Sequence, residues 1–181
     1  MWRTYDRSHR QSKSSVSRVR ELSSHKKDEV NVMGVKRLFF CKNCYFRYGE
    51  KVGCNIPYNM AVQRSLRMAK NGELGQEVQD FINDCPDGVI DCLMAGYYCP
   101  ACGRLKSMLN NNMYLPKKDE NGVPIGPGND KIRTPWELRR YYYMIRKYEH
   151  LCDVCGHPMR KLGPRTIPTC PRCNTLLSLE E

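Results

Sequence analysis

The chain contains no apolar run approaching the roughly 20 residues that cross a bilayer, so nothing in it reads as a membrane span. Its first 32 residues hold no apolar h-region of the kind a secretory signal carries. There is no GxxxxGK[ST], no GxGxxG and no GxSxG, and with them go P-loop, dinucleotide-binding and nucleophile-elbow chemistry. Apolar residues are also scarce. The 40% hydrophobic fraction includes 11 cysteines, which leaves a thin supply for the core of 181 residues. Small scaffolds with thin cores rely on disulfides or metal.

Cysteine is what the sequence has instead. The count is odd, which argues against a closed disulfide framework, and the expected compartment is reducing and cytoplasmic. Eight cysteines fall in four C-x-x-C pairs: Cys41/Cys44, Cys99/Cys102, Cys152/Cys155 and Cys170/Cys173. Two residues between cysteines allow a tight turn to aim both sulfurs at one point, and two such turns supply a tetrahedron about 2.3 Å from a zinc ion. The turn calls for a residue that tolerates positive φ directly after the second cysteine. Gly103, Gly156 and Asn174 occupy that place, and Pro100 and Pro171 preset two of the turns. Tyr45 departs from the pattern.

The segment CDVCGHPMRKLGPRTIPTCPRCN resembles a zinc ribbon with knuckles of the rubredoxin type, over residues 150–179. The resemblance implies a three-stranded antiparallel ribbon with zinc at one end. The unit CKNC…CPACG is similar to the same family, with 54 residues inserted between its knuckles. The chain also has a general likeness to small bacterial zinc-ribbon proteins, which carries no activity. The expected ligand sets are sequential, because each ribbon then closes locally: Cys41, Cys44, Cys99 and Cys102 around one Zn²⁺, and Cys152, Cys155, Cys170 and Cys173 around a second. Cys54 could stand in for a ligand at the first knuckle, and either His150 or His157 at the third, although a plain surface histidine is the better reading for both. Cys54, Cys85 and Cys92 read as core or near-core thiols.

The expected fold is therefore small α+β: two zinc ribbons of short antiparallel strands, the first with a helical insert, joined by a loop and one helix. Residues 1–32, rich in Ser, Arg and Lys, read as a disordered basic tail. The character changes at Met33, a candidate biological start. Glu29-Val30-Asn31 can be encoded GAG GTG AAT, a ribosome-binding sequence if the gene is bacterial. The first ribbon spans 33–108, with strands over 35–40 and 45–52, a helix capped by Asn59 over 60–70, and a second helix carrying Leu74, Val78, Phe81 and Ile82 on one face. Residues 109–133 read as a linker with a hairpin at Asn121-Gly122. The capping box Thr134-Pro135-Trp136-Glu137 starts a helix predicted to reach Glu149 and feed the C-terminal ribbon, in a unit spanning 134–181.

The formal charge of +11 falls to about +7 once eight thiolates and two Zn²⁺ are counted, and residues 1–32 hold +4 of that. Charge alone is thus weak evidence for a polyanion partner. A closed four-thiolate site leaves no position for water, and no catalytic set appears, so the expected role is non-enzymatic. The leading reading is a binding module for nucleic acid or a nucleic-acid complex. Its contacts would be Arg139, Arg140, Tyr143, Arg146 and Lys147, on one side of the helix, beside Arg160, Lys161 and Arg172 on the ribbon. A protein–protein adaptor and a thiol-redox or metal-responsive switch are the alternatives.

Overall fold

The computed structural model describes residues 34–180; the tail and the candidate start at Met33 lie outside them. Among the described residues the architecture is small α+β, with three helices and three small antiparallel sheets. β1 (Val35–Phe40) and β2 (Arg47–Val52) form a hairpin on the first C-x-x-C turn, with Phe40 opposite Arg47. β4 (Met94–Tyr98) and β5 (Leu105–Leu109) do the same on the second, with Tyr98 opposite Leu105. The C-terminal third adds a strand to each hairpin. β8 (Arg160–Lys161) pairs with β4, and β9 (Ser178–Glu180) pairs with β1. The third sheet has the order β3 (Val89–Ile90), β6 (Met113–Pro116), β7 (Tyr142–Arg146).

The main core lies between this third sheet and two helices. α1 (Tyr58–Lys70) buries Tyr58, Ala61, Val62, Ser65, Leu66 and Ala69, a single face at helical spacing. It starts from Pro57 rather than from the expected Asn59 cap, and Gly72 at φ +76° ends it. α2 (Gln76–Asp84) buries Val78, Phe81 and Ile82, as its periodicity predicts. Two smaller clusters surround the cysteine turns. One gathers Phe39, Leu105, Leu162 and Leu177; the other gathers Ala95, Tyr97 and Met159. Among the described residues no helix is long and apolar enough to cross a membrane.

Two expectations need correction. The helix predicted over 134–149 stops early: α3 spans Pro135–Tyr141, and the chain continues as β7. The cap half of the expected box forms, with Thr134 Oγ1 accepting from the Glu137 N–H at 3.1 Å; Glu137 Oε2 reaches one residue further back and accepts from the Arg133 N–H at 2.6 Å. The run Tyr142-Tyr143-Met144-Ile145 then favours a strand, and the open edge of β6 supplies backbone partners that a further helical turn would forgo. The segment 109–133 is likewise no linker. It contains β6, and Asn110, Asn111, Met113 and Ile132 are all buried. Its hairpin does form around Asn121-Gly122, where Lys118 bridges Pro124 and Asp119 Oδ1 accepts from the N–H groups of Asn121 and Val123.

The two ribbon-like sheets are fastened together by a buried charge. Glu50 on β2 is fully buried; it pairs with Arg37 of β1 and accepts the Gly96 N–H of β4 at 2.9 Å. Arg37 also donates to the carbonyl of Pro164 at 2.9 Å, tying down the loop after β8. A Cβ at 96 would lie 2.2 Å from Glu50 Oε1, so any side chain there would have to displace this carboxylate from its partners.

Candidate metal centres and an adjoining basic depression

All four C-x-x-C turns share one backbone design. In each, the N–H of the first cysteine donates to the carbonyl five residues on: Phe46, Arg104, His157 and Thr175, at 2.7–2.9 Å. The N–H four residues on returns to the carbonyl of the first cysteine, at 2.9 Å in all four. That returning residue has positive φ every time: Tyr45 +59°, Gly103 +72°, Gly156 +70° and Asn174 +58°. Tyr45 therefore adopts the knuckle conformation without the residue type that makes it cheap. Its side chain is 84% exposed, so it stays free of clashes.

The turns meet in pairs, but crosswise. Cys41 and Cys44 face Cys170 and Cys173, while Cys99 and Cys102 face Cys152 and Cys155. The sequential grouping is thereby overturned; each of the two expected ribbons gives one turn to each site. The reason lies in the strand partners. β9 follows the fourth turn and pairs with β1, which leads into the first. β8 follows the third turn and pairs with β4, which leads into the second.

In the first centre, Cys41 Sγ lies 3.4 Å from Cys173 Sγ, Cys44 Sγ 3.4 Å from Cys170 Sγ, and Cys44 Sγ 3.6 Å from Cys173 Sγ. In the second, Cys99 and Cys155 are 3.4 Å apart and Cys102 and Cys152 are 3.5 Å apart. These gaps are far beyond a disulfide bond. They approach the edge of a tetrahedron with 2.3 Å metal–sulfur bonds, about 3.8 Å. Four thiol donors around one point, with peptide N–H groups turned toward them, fit a tetrahedral metal ion. Each group could hold one such ion.

Local groups already favour ionised sulfur. Thr175 Oγ1 sits 3.2 Å from Cys41 Sγ and 3.0 Å from Cys173 Sγ. Its hydroxyl leads the groups that bring Cys173 down to about 6, with its own backbone N–H and the side chains of Cys41 and Asn43 adding to it, and it lowers Cys41 as well. Cys99 falls to about 7: burial opposes the change, but the N–H groups of Cys102 and Ala101 and the neighbouring thiols outweigh it. Their partners move the other way. Against the pull of the Phe46 N–H, burial and the neighbouring thiols push Cys44 up to about 12; Cys155 behaves alike against the His157 N–H. Four thiolates cannot share one point without a cation between them.

The remaining candidates separate. Cys54 and Cys92 are buried in the main core and Cys85 packs against it. His157 is exposed, as expected, with Nδ1 3.1 Å from the Cys155 carbonyl. His150, expected at the surface, is buried; its ring lies 4.3 Å from that of Tyr97 and 4.8 Å from that of Tyr148. The eight proposed contact residues do not form one face, because the helix that was to align them ends at Tyr141. Arg140 stacks over Trp136 and Tyr141, Arg172 covers Phe46, and Tyr143 faces Asp84 and Asp87 across a different cleft. Arg146, Lys147, Arg160 and Lys161 do converge, around a 760 Å³ depression beside the second centre.

Sequence reasoning missed a polar network beneath this depression. Asn110, 3% exposed, donates through Nδ2 to Asp91 Oδ2 at 2.9 Å. Its Oδ1 accepts from Tyr97 Oη at 3.0 Å and from Lys161 Nζ at 2.9 Å. Burial raises the Asp91 carboxyl above the usual range, while the Leu93 N–H and Asn110 hold it down. The three consecutive asparagines at 110–112 were the available signal; in a linker such residues are expected to face water. Compared with family models, curated proteins and solved structures, the chain matches none.

Proposed function

We propose that this chain is a zinc-binding, non-enzymatic module of the cytoplasm that contacts nucleic acid, or a complex containing it, through the basic depression beside the second metal centre. Four thiol donors in tetrahedral spacing suit zinc, and zinc bound there would supply fold rather than reaction chemistry, since every coordination position is taken. The observation that carries the binding role is the convergence of Lys147, Arg160 and Lys161 on one depression. None of the three forms an ion pair among the described residues. Unneutralised cations gathered in a concave surface attract phosphate and release counterions on binding.

The test is a salt series on the zinc-loaded full chain with RNA and DNA. It is run beside a variant carrying Lys147→Gln, Arg160→Gln and Lys161→Gln, because residues 1–32 would bind polyanions on their own charge. The proposal expects affinity to fall steeply with salt and the triple variant to lose most of it. Equal binding by both proteins would overturn it.

A protein–protein adaptor is the second reading. It is favoured by apolar residues exposed around the turns: Val154 is 68% exposed and Leu176 70%. The thiol-switch reading draws little support from the spare cysteines. Burial pushes Cys92 up to about 12 and raises Cys54 too, and a buried neutral thiol reacts slowly.

A further inference from the structure

We infer that the depression beside the second centre takes an unpaired stretch of nucleic acid, one or two nucleotides deep, in preference to a duplex. This rests on the nucleic-acid reading above and makes it specific. Lys161 is a built part of the site. Its Nζ donates to Asn110 Oδ1 at 2.9 Å. Asn110 cannot turn away, because its Nδ2 donates to Asp91 Oδ2 at 2.9 Å and Tyr97 Oη donates to the same Oδ1 at 3.0 Å. Asp91 is held in turn by the Leu93 N–H at 3.1 Å. A buried relay thus fixes where the ammonium sits. The atom it touches is a neutral amide oxygen, and the Asp91 carboxyl behind Asn110 also draws on this ammonium, so Lys147 and Arg160 carry the charge left free for a ligand.

The other walls complete the chemistry. Arg146 Nε is tied to Glu77 Oε1 at 2.6 Å, leaving Lys147 and Arg160 as unpaired cations. Four cations against Glu77 and Glu149 give the lining a net charge of +2, the charge of two phosphodiesters in reverse. The half-buried Tyr148, with Leu151 and Met159, adds an aromatic and apolar wall on which a base can stack. The volume of 760 Å³ lies within the range of cavities that enclose small ligands, about 300–1,000 Å³. An unpaired strand can place a base and its phosphate there together. A duplex keeps its bases stacked inside and offers only phosphates to such a hollow.

The experiment uses the zinc-loaded full chain and a fluorescent 12-nucleotide strand, as RNA and as DNA, against blunt duplexes of the same sequence. Two variants accompany it: Lys147→Gln with Arg160→Gln, whose side chains make no hydrogen bond among the described residues, and Tyr148→Leu. Zinc content and melting temperature confirm that each is folded. The single strand should bind at least tenfold tighter than the duplex. The double variant should weaken the single strand about tenfold and flatten its log–log salt slope by about 1.4, or 0.7 per lost cation. Tyr148→Leu should cost about fivefold or more. Duplex binding as tight as single-strand binding, with both sensitive to the double variant, would overturn this inference and leave the broader reading standing. Binding that no variant alters would overturn both.

Discussion

Tyr45 is the one non-glycine, non-asparagine residue that closes a cysteine turn, and replacing it with glycine should stabilise the protein. Its φ is +59°, the left-handed region, which costs an L-residue about 1–2 kcal/mol. The side chain is 84% exposed, so almost no packing is lost with it. Glycine gives back part of the gain through its freer unfolded chain, about 0.4–1 kcal/mol. The net expectation for Tyr45→Gly is about 0.5–1 kcal/mol. That should appear as a rise of about 1–4 °C in the melting temperature of the metal-loaded protein. Because the turn forms when metal binds, affinity at the first centre should rise about two- to fivefold, with the second unchanged. Tyr45→Ala is the control: it removes the same ring but keeps a Cβ, and should bring none of this. Differential scanning calorimetry with competitive chelator titration reads both quantities. If Tyr45→Ala matches Tyr45→Gly, or if Tyr45→Gly melts lower than the native chain, the strain argument is wrong.

Other substitutions probe how the centres are held. Thr175→Val keeps the shape but removes the hydroxyl beside Cys41 and Cys173, so the first centre should lose about tenfold in metal affinity by chelator competition while the second holds. Glu50→Ala would strand Arg37 and the Gly96 N–H; a loss of about 3–5 kcal/mol is expected in denaturant unfolding. Gly103→Ala and Gly156→Ala share a positive φ but differ in surroundings, with Pro171 Cα 3.1 Å from the Cβ position at 103 and nothing within 4 Å of that at 156. The first should weaken both centres, because Pro171 belongs to the other one, whereas the second should weaken only its own, as metal titration of each variant would show.

What the sequence made readable was local. The turn geometry follows from two residues between cysteines and a positive-φ residue after them, and three of the four turns announced it with Gly103, Gly156 and Asn174. The apolar spacing of α2 and the Thr134 cap of α3 were equally plain. Partner choice was not. Any two C-x-x-C turns can close a tetrahedron, so the selection rests on which strands pair. β9 is three residues and β8 only two, too short to leave a periodic signal. The end of α3 was hidden for a related reason: Leu138, Tyr141, Ile145 and Tyr148 fit a helical stripe, and only the waiting edge of β6 turns Tyr142–Arg146 into a strand. The Asn110–Asp91 relay was concealed because burial, absent from the sequence, gives those polar residues their role.

The crosswise grouping is the central claim, and paired ligand removal tests it most directly. Cys44→Ser with Cys173→Ser strikes a single centre in the crosswise arrangement; Cys44→Ser with Cys102→Ser strikes both. Each protein is purified with zinc and without chelator, and its tightly held metal is counted by elemental analysis against native chain. The account predicts two zinc ions for the native chain, one for the first variant and none retained at native affinity for the second. One ion held by the Cys44/Cys102 variant and none by the Cys44/Cys173 variant would restore sequential ribbons and contradict the structure described above.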